Sequence, residues 1–180
     1  MLGKPLSELL KIFLKQSNTY RSLSMNAPNM YQWFPDNLYA LLYPAGLLFA
    51  AGVALAFVWG ASQRMGKTSP GILVSLALAS VFIMPYVLPK MHDRYFFAAD
   101  VLSISFAFFY PGLFFLPLLV GGVSFFAYTP FLFGYEIIPL RYLAVFQLVT
   151  LTLLFRHLVV HLRGTTDPSS QGAGYIQETE

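Results

Sequence analysis

The densest ionisable run in this chain is Pro89-Lys90-Met91-His92-Asp93-Arg94-Tyr95. Lys90, His92 and Arg94 can together hold a phosphate or pyrophosphate, with Arg94 supplying a planar, two-pronged donor. The same residues suit a plainer role, capping helices and anchoring to lipid headgroups, and composition favours that role. A second polar run lies upstream, Ser22-Leu23-Ser24-Met25-Asn26-Ala27-Pro28-Asn29-Met30-Tyr31-Gln32-Trp33. Its Ser, Asn and Gln offer neutral donors and acceptors, and Tyr31 and Trp33 offer flat faces. Sugar hydroxyls and C–H faces are bound by such mixtures. An interfacial loop beside an aromatic belt has the same composition, so this run alone is not diagnostic.

Two further sets of residues could do chemistry. Asp100 stands about two helical turns beyond Arg94, inside an apolar run where an ionisable group is a functional candidate, with Arg94 or Lys90 the expected partner. His157 and His161 are four apart on one helix face, as metal ligands can be, but Arg156 and Arg163 flank them and no carboxylate is near. Snorkelling polar side chains explain that pair better than a metal does. The chain has no cysteine, which excludes disulfides, thiolate nucleophiles and Cys-ligated metals. It also has no glycine-rich phosphate loop.

The elements that must position these residues are hydrophobic helices. Of the 180 residues 57% are hydrophobic and only 11% charged, against about a quarter charged in a soluble domain; the mean hydropathy is +0.62. The net charge of +3 is not spread as a basic stripe, so nucleic acid is not an expected partner; the lipid bilayer is. The pattern predicts an all-α, polytopic transmembrane bundle with about five membrane helices. These are Leu38 to Gly60, Pro70 to Leu88, Tyr95 to Tyr110, Gly112 to Tyr128, and Pro139 to His161, the third and fourth split at Pro111-Gly112. Trp33, Phe34, Tyr39 and Tyr43 form an aromatic belt at the start of the first helix.

Three regions follow. Residues 1–37 hold an amphipathic helix, with Leu6, Leu9, Leu10, Phe13 and Leu14 opposite Lys4, Glu8, Lys11 and Lys15, and then a loop. Residues 38–162 are the transmembrane region, and 163–180 are a polar, Gly/Ser-rich tail expected to be disordered. Arg64 and Lys67 between the first two helices, with Arg156 and Arg163, favour placing those ends in the cytoplasm. The Lys90–Tyr95 run and the N-terminal segment then lie on the extracytoplasmic side.

The run Pro89-Lys90-Met91-His92-Asp93-Arg94-Tyr95-Phe96-Phe97 resembles the His-Glu-Arg-Tyr segment of bacterial GT-C glycosyltransferases, especially their mannosyltransferase-like branch. Upstream, Leu23-Ser24-Met25-Asn26-Ala27-Pro28-Asn29-Met30-Tyr31 is similar to a Ser-x-Asn-Ala-x-Asn segment of the same proteins. The two motifs occur in the family's order, with two apolar helices between them. The resemblance implies a multi-pass enzyme of the bacterial inner membrane that takes a sugar, such as mannose, from a polyprenyl-phosphate donor on the extracytoplasmic face. It implies a substrate-binding set of Lys90, His92, Asp93, Arg94, Tyr95, Asn26, Asn29 and Tyr31, with His92 and Arg94 stabilising charge on the leaving phosphate.

This sequence departs from the family at Asp93, which replaces the usual Glu. Family members are also more than twice as long, with a proposed catalytic carboxylate in an earlier extracytoplasmic loop. The chain therefore looks like the C-terminal portion of such an enzyme, partnered by a separate or missing N-terminal half and inactive alone. No catalytic residue is assigned within it. A divalent metal stays open for the full-length enzyme. The alternative is a small non-enzymatic membrane protein, an assembly subunit or a lipid- or ion-handling component.

Overall fold

The computed structural model describes residues 21–63 and 69–164. The expected amphipathic helix, the Arg64/Lys67 loop and the C-terminal tail beyond 164 lie outside the described residues. Five α-helices make up most of the described residues: α1 Tyr39–Ser62, α2 Pro70–Val87, α3 Phe97–Phe109, α4 Phe115–Phe133 and α5 Leu140–Gly164. Two strands of two residues each, β1 Ser24–Met25 and β2 Met91–His92, and four short 3₁₀ turns, Met30–Trp33, Asp36–Leu38, Asp93–Phe96 and Pro111–Leu113, complete the regular structure among the described residues.

The helix ends follow from local chemistry. Ser69 accepts a hydrogen bond from the Ile72 amide and Pro70 occupies the first position of α2, where its missing N–H costs nothing. Leu88 leaves α2 in an extended conformation, the region that a following proline favours. Between α3 and α4, Tyr110 departs from helical geometry and Pro111–Leu113 form a single 3₁₀ turn, so the expected break at Pro111-Gly112 is present. At the end of α4, Gly134 takes a left-handed conformation and its amide bonds to the Pro130 carbonyl at 3.0 Å, a closure that favours glycine.

Four segments are long and apolar enough to cross a membrane: Asp36–Ser62, Pro70–Val87, Pro111–Phe133 and Leu140–Leu162. The 13 residues of α3 reach only about 20 Å at 1.5 Å each, short of the hydrocarbon thickness. The fold is thus an all-helical membrane bundle of five helices with four crossing-length segments.

α2 is the hub, packing against α1, α3 and α5. Phe82 meets Phe96 edge to face at 6.0 Å, and both are buried with Leu78, Phe106, Leu116, Val120 and Leu154. α1 is peripheral. Only 11% of its spanning window is buried, against 56% for α2, and its buried residues are Gly46 and Ala50. Small residues four apart let a helix approach closely where lipid, not water, is the competing solvent. Leu41, Leu48, Leu55, Val58 and Trp59 on its other faces are largely exposed. Such a surface belongs in a bilayer.

The helices alternate in direction. Trp33 donates from Nε1 to the Arg141 carbonyl, and the Tyr86 hydroxyl donates to Ala144. The loop before α1, the end of α2 and the start of α5 therefore share one end of the bundle. At the other end Tyr110 packs on His157 and His161, and Gly60 and Ala61 share an apolar cleft with Val159 and Leu162.

Candidate functional site

The two polar runs come together at one end of the bundle. β1 and β2 pair in parallel, with Ser24 opposite Met91 and Met25 opposite His92, and Asn26 forms a further bridge to His92. The Lys90 amide donates to the Leu23 carbonyl at 2.8 Å. Two residues turn the backbone sharply to make this pairing: Asn26 (φ 60°) and Lys90 (φ 61°) are the non-glycine residues with positive φ among those described. Asparagine tolerates that region, whereas for lysine it costs roughly 1–2 kcal/mol, which the surrounding pairing must offset.

Leu23 is fully buried and its amide donates to Asp36 Oδ1 at 2.8 Å, while Ser22 Oγ lies 3.2 Å from Asp36 Oδ2. The loop after β1 folds on itself. Ser24 Oγ donates to the Ala27 carbonyl, and Gln32 Nε2 donates to Ser24 Oγ and to Ala27.

Asn29 and Tyr31 have a different place from the one expected of substrate-binding residues. Asn29 is fully buried and Tyr31 is 4% exposed. Asn29 Oδ1 accepts from the Tyr31 amide, its Nδ2 donates to the Leu88 carbonyl at 3.4 Å, and the Tyr31 hydroxyl donates to Val87 at 3.0 Å. The last carbonyls of a helix have no partner within it; these two side chains supply one for the end of α2. Burial pushes the Tyr31 phenol above its ordinary value, so at neutral pH it stays protonated and able to donate. They position the site and do not line it.

His92 and Asn26 do line it. With Ser22, Ser24 and Met25 they surround an open cleft of about 330 Å³. The ring of Tyr95 lies 6.1 Å from that of His92, and the Arg94 guanidinium lies 5.7 Å from the Tyr95 ring. Asp93 Oδ1 accepts from the Arg94 amide at 2.8 Å, so this carboxylate is held by the backbone of the next residue. Lys90 is set apart from the cleft. Its Nζ lies 5.1 Å from the Tyr39 ring and 5.3 Å from that of Tyr43, two rings stacked on each other at 5.2 Å. Those distances suit a cation–π contact.

Asp100 has a partner other than the one expected. Ser124 of α4 donates to its Oδ1 at 2.7 Å. Among the described residues no three His, Asp or Glu side chains converge as metal ligands. Sequence reasoning missed Asp36, whose signal was its position as the one carboxylate between the aromatic belt and the first apolar helix. It also missed Ser124, which nothing in the sequence marks as the partner of Asp100.

Chemically, the cleft presents an imidazole and an amide, and the exposed Arg94 guanidinium follows two residues after His92. Such donors suit an anionic oxygen cluster. The fold defines a multi-pass membrane protein with this polar cleft at one end of the bundle. Comparisons with protein-family models, with curated proteins and with solved structures return no match.

Proposed function

We propose that the chain is the donor-binding, C-terminal part of a GT-C-type glycosyltransferase of a bacterial inner membrane. It takes a sugar from a polyprenyl-phosphate donor on the extracytoplasmic face. One observation supports this reading above the others: the Ser24–Tyr31 and Lys90–Tyr95 segments, which carry the resemblance, are joined through the pairing of Met25 and Asn26 with His92. A headgroup anchor needs the cations alone and gives no reason for two distant segments to be tied together.

In this reading the donor phosphate sits in the His92 cleft and its polyprenyl chain lies along the bundle in lipid. As the bond between the sugar C1 and the phosphate oxygen breaks, its electron pair stays on the phosphate. His92 and Arg94 stabilise that growing charge, while Asn26 orients the phosphate. The acceptor hydroxyl attacks C1 and loses its proton to a base from another part of the enzyme, so the isolated chain binds donor without transferring sugar.

Binding of citronellyl-phosphate-mannose to the purified chain in detergent micelles tests this. His92→Ala and Arg94→Ala should each weaken binding about tenfold or more, the scale of one lost charge-assisted hydrogen bond. Equal affinity in all three proteins would remove the phosphate role.

A further inference from the structure

A second cleft opens where the start of the described chain meets the loop leading into α1. It has a volume of about 440 Å³ and is lined by Arg21, Asp36, Asn37, Tyr39 and Ala40, none of which lines the His92 cleft. That volume falls in the range of small-molecule sites. Its walls combine a guanidinium, a carboxylate, a carboxamide and an aromatic face.

Two arrangements hold those walls in place. Asp36 is fixed from behind by the Leu23 amide and by Ser22 Oγ, so its orientation is set before any ligand arrives. Tyr39 is fixed by its near-parallel stack on Tyr43, at 8° between ring planes, and by Lys90 Nζ over both rings. Lys90 lies two residues before His92, so the aromatic pair is tied to the same strand that bears the phosphate cleft.

An acceptor-rich carboxylate, an amide able both to donate and to accept, and a pre-positioned ring are what a pyranose needs. Vicinal hydroxyls bridge carboxylate and amide, and the C–H face lies on the ring. A phosphate would be drawn by Arg21 but repelled by Asp36, and would gain nothing from Tyr39. We propose that this cleft is a saccharide subsite that takes an uncharged hexose ring, with Asp36 and Asn37 as its hydrogen-bonding pair and Tyr39 as its platform. The proposal rests on the glycosyltransferase reading for its place in a reaction, but its binding chemistry is separate from the phosphate cleft.

Saturation-transfer NMR with methyl α-mannopyranoside tests it, using the full chain in lauryl dimethylamine oxide, a sugar-free detergent. Saturation of the sugar ring protons is expected in the wild type. It should fall, with affinity weakened about fivefold, in Asn37→Ala; Tyr39→Ala should act likewise, and Tyr39→Phe, which keeps the ring, should retain it. His92→Ala should leave it unchanged. Absent ring saturation in the wild type, or equal saturation in Asn37→Ala and Tyr39→Ala, would overturn the subsite whatever the phosphate result. Sugar binding that persists while citronellyl-phosphate-mannose affinity is indifferent to His92 would uphold the subsite and sink the phosphate role.

Discussion

Asn26 bridges to His92, so a left-handed residue in the loop before the first helix is tied, backbone to backbone, to the histidine that follows the second. Helices α1 and α2 intervene in sequence, and neither makes the contact. The pairing depends on Lys90 turning the chain back toward Leu23 and on Asn29 and Tyr31 holding the end of α2. Damage to that support should therefore disturb the cleft without touching a residue that lines it.

Gly46 tests the support. A β-carbon there would collide with the Tyr31 hydroxyl and lie 3.4 Å from Pro89. Gly46→Ala should destabilise the protein by about 1–3 kcal/mol, read by thermal unfolding in detergent. Adding Tyr31→Phe should recover part of that loss, since the colliding oxygen is gone. A fully additive double variant would mean that Gly46 and Tyr31 do not share this contact.

The Asp100–Ser124 bond joins α3 to α4 at 2.7 Å. Ser124→Ala should cost about 1.5–3 kcal/mol, because the acceptor is a carboxylate in partly buried surroundings. In a double-mutant cycle with Asp100→Ala the two changes should be clearly non-additive. Independent effects would return Asp100 to the partnership with Arg94 or Lys90 that the sequence suggested.

Much of the architecture was legible because lipid imposes long uncharged runs and proline marks their ends. The first helix was expected over Leu38 to Gly60 and runs Tyr39–Ser62; the second was expected over Pro70 to Leu88 and runs Pro70–Val87. Pro111 announced the break between α3 and α4, since a proline disfavours helical geometry in the residue before it, and Tyr110 leaves the helix. The fourth helix ran past its expected end at Tyr128 to Phe133, because Pro130 continues the helix and Gly134 is what stops it. The site was less legible. Two-residue strands carry no alternation pattern, so nothing in the sequence pairs Met25 with His92. Asn29 and Tyr31 read as ligands because they are polar and aromatic, yet their partners are main-chain carbonyls of α2, which have no side-chain signature.

Gln147 shows a different kind of residue. It is fully buried in α5, and neither Nε2 nor Oε1 has a hydrogen-bond partner among the described residues. An orphaned buried amide costs about 1–3 kcal/mol. Gln147→Met, similar in volume and without the polar atoms, should raise stability by that order in a denaturation series. A loss instead would show that the amide has a partner.

The account stands on two distant segments forming one site, and the absence of native cysteine makes that directly measurable. Ser24→Cys combined with Met91→Cys places two thiols on paired positions of a parallel ladder, where the interstrand spacing of about 4.8 Å falls within the Cα separation a disulfide spans. In membranes, mild oxidation should convert most of the double variant to an intramolecular disulfide, seen as a mobility shift that reductant reverses. The control Ser24→Cys with Ser80→Cys, the latter within α2, should not cross-link. Absence of the Ser24–Met91 bridge, with both thiols reactive to a maleimide, would contradict the pairing and with it the donor site.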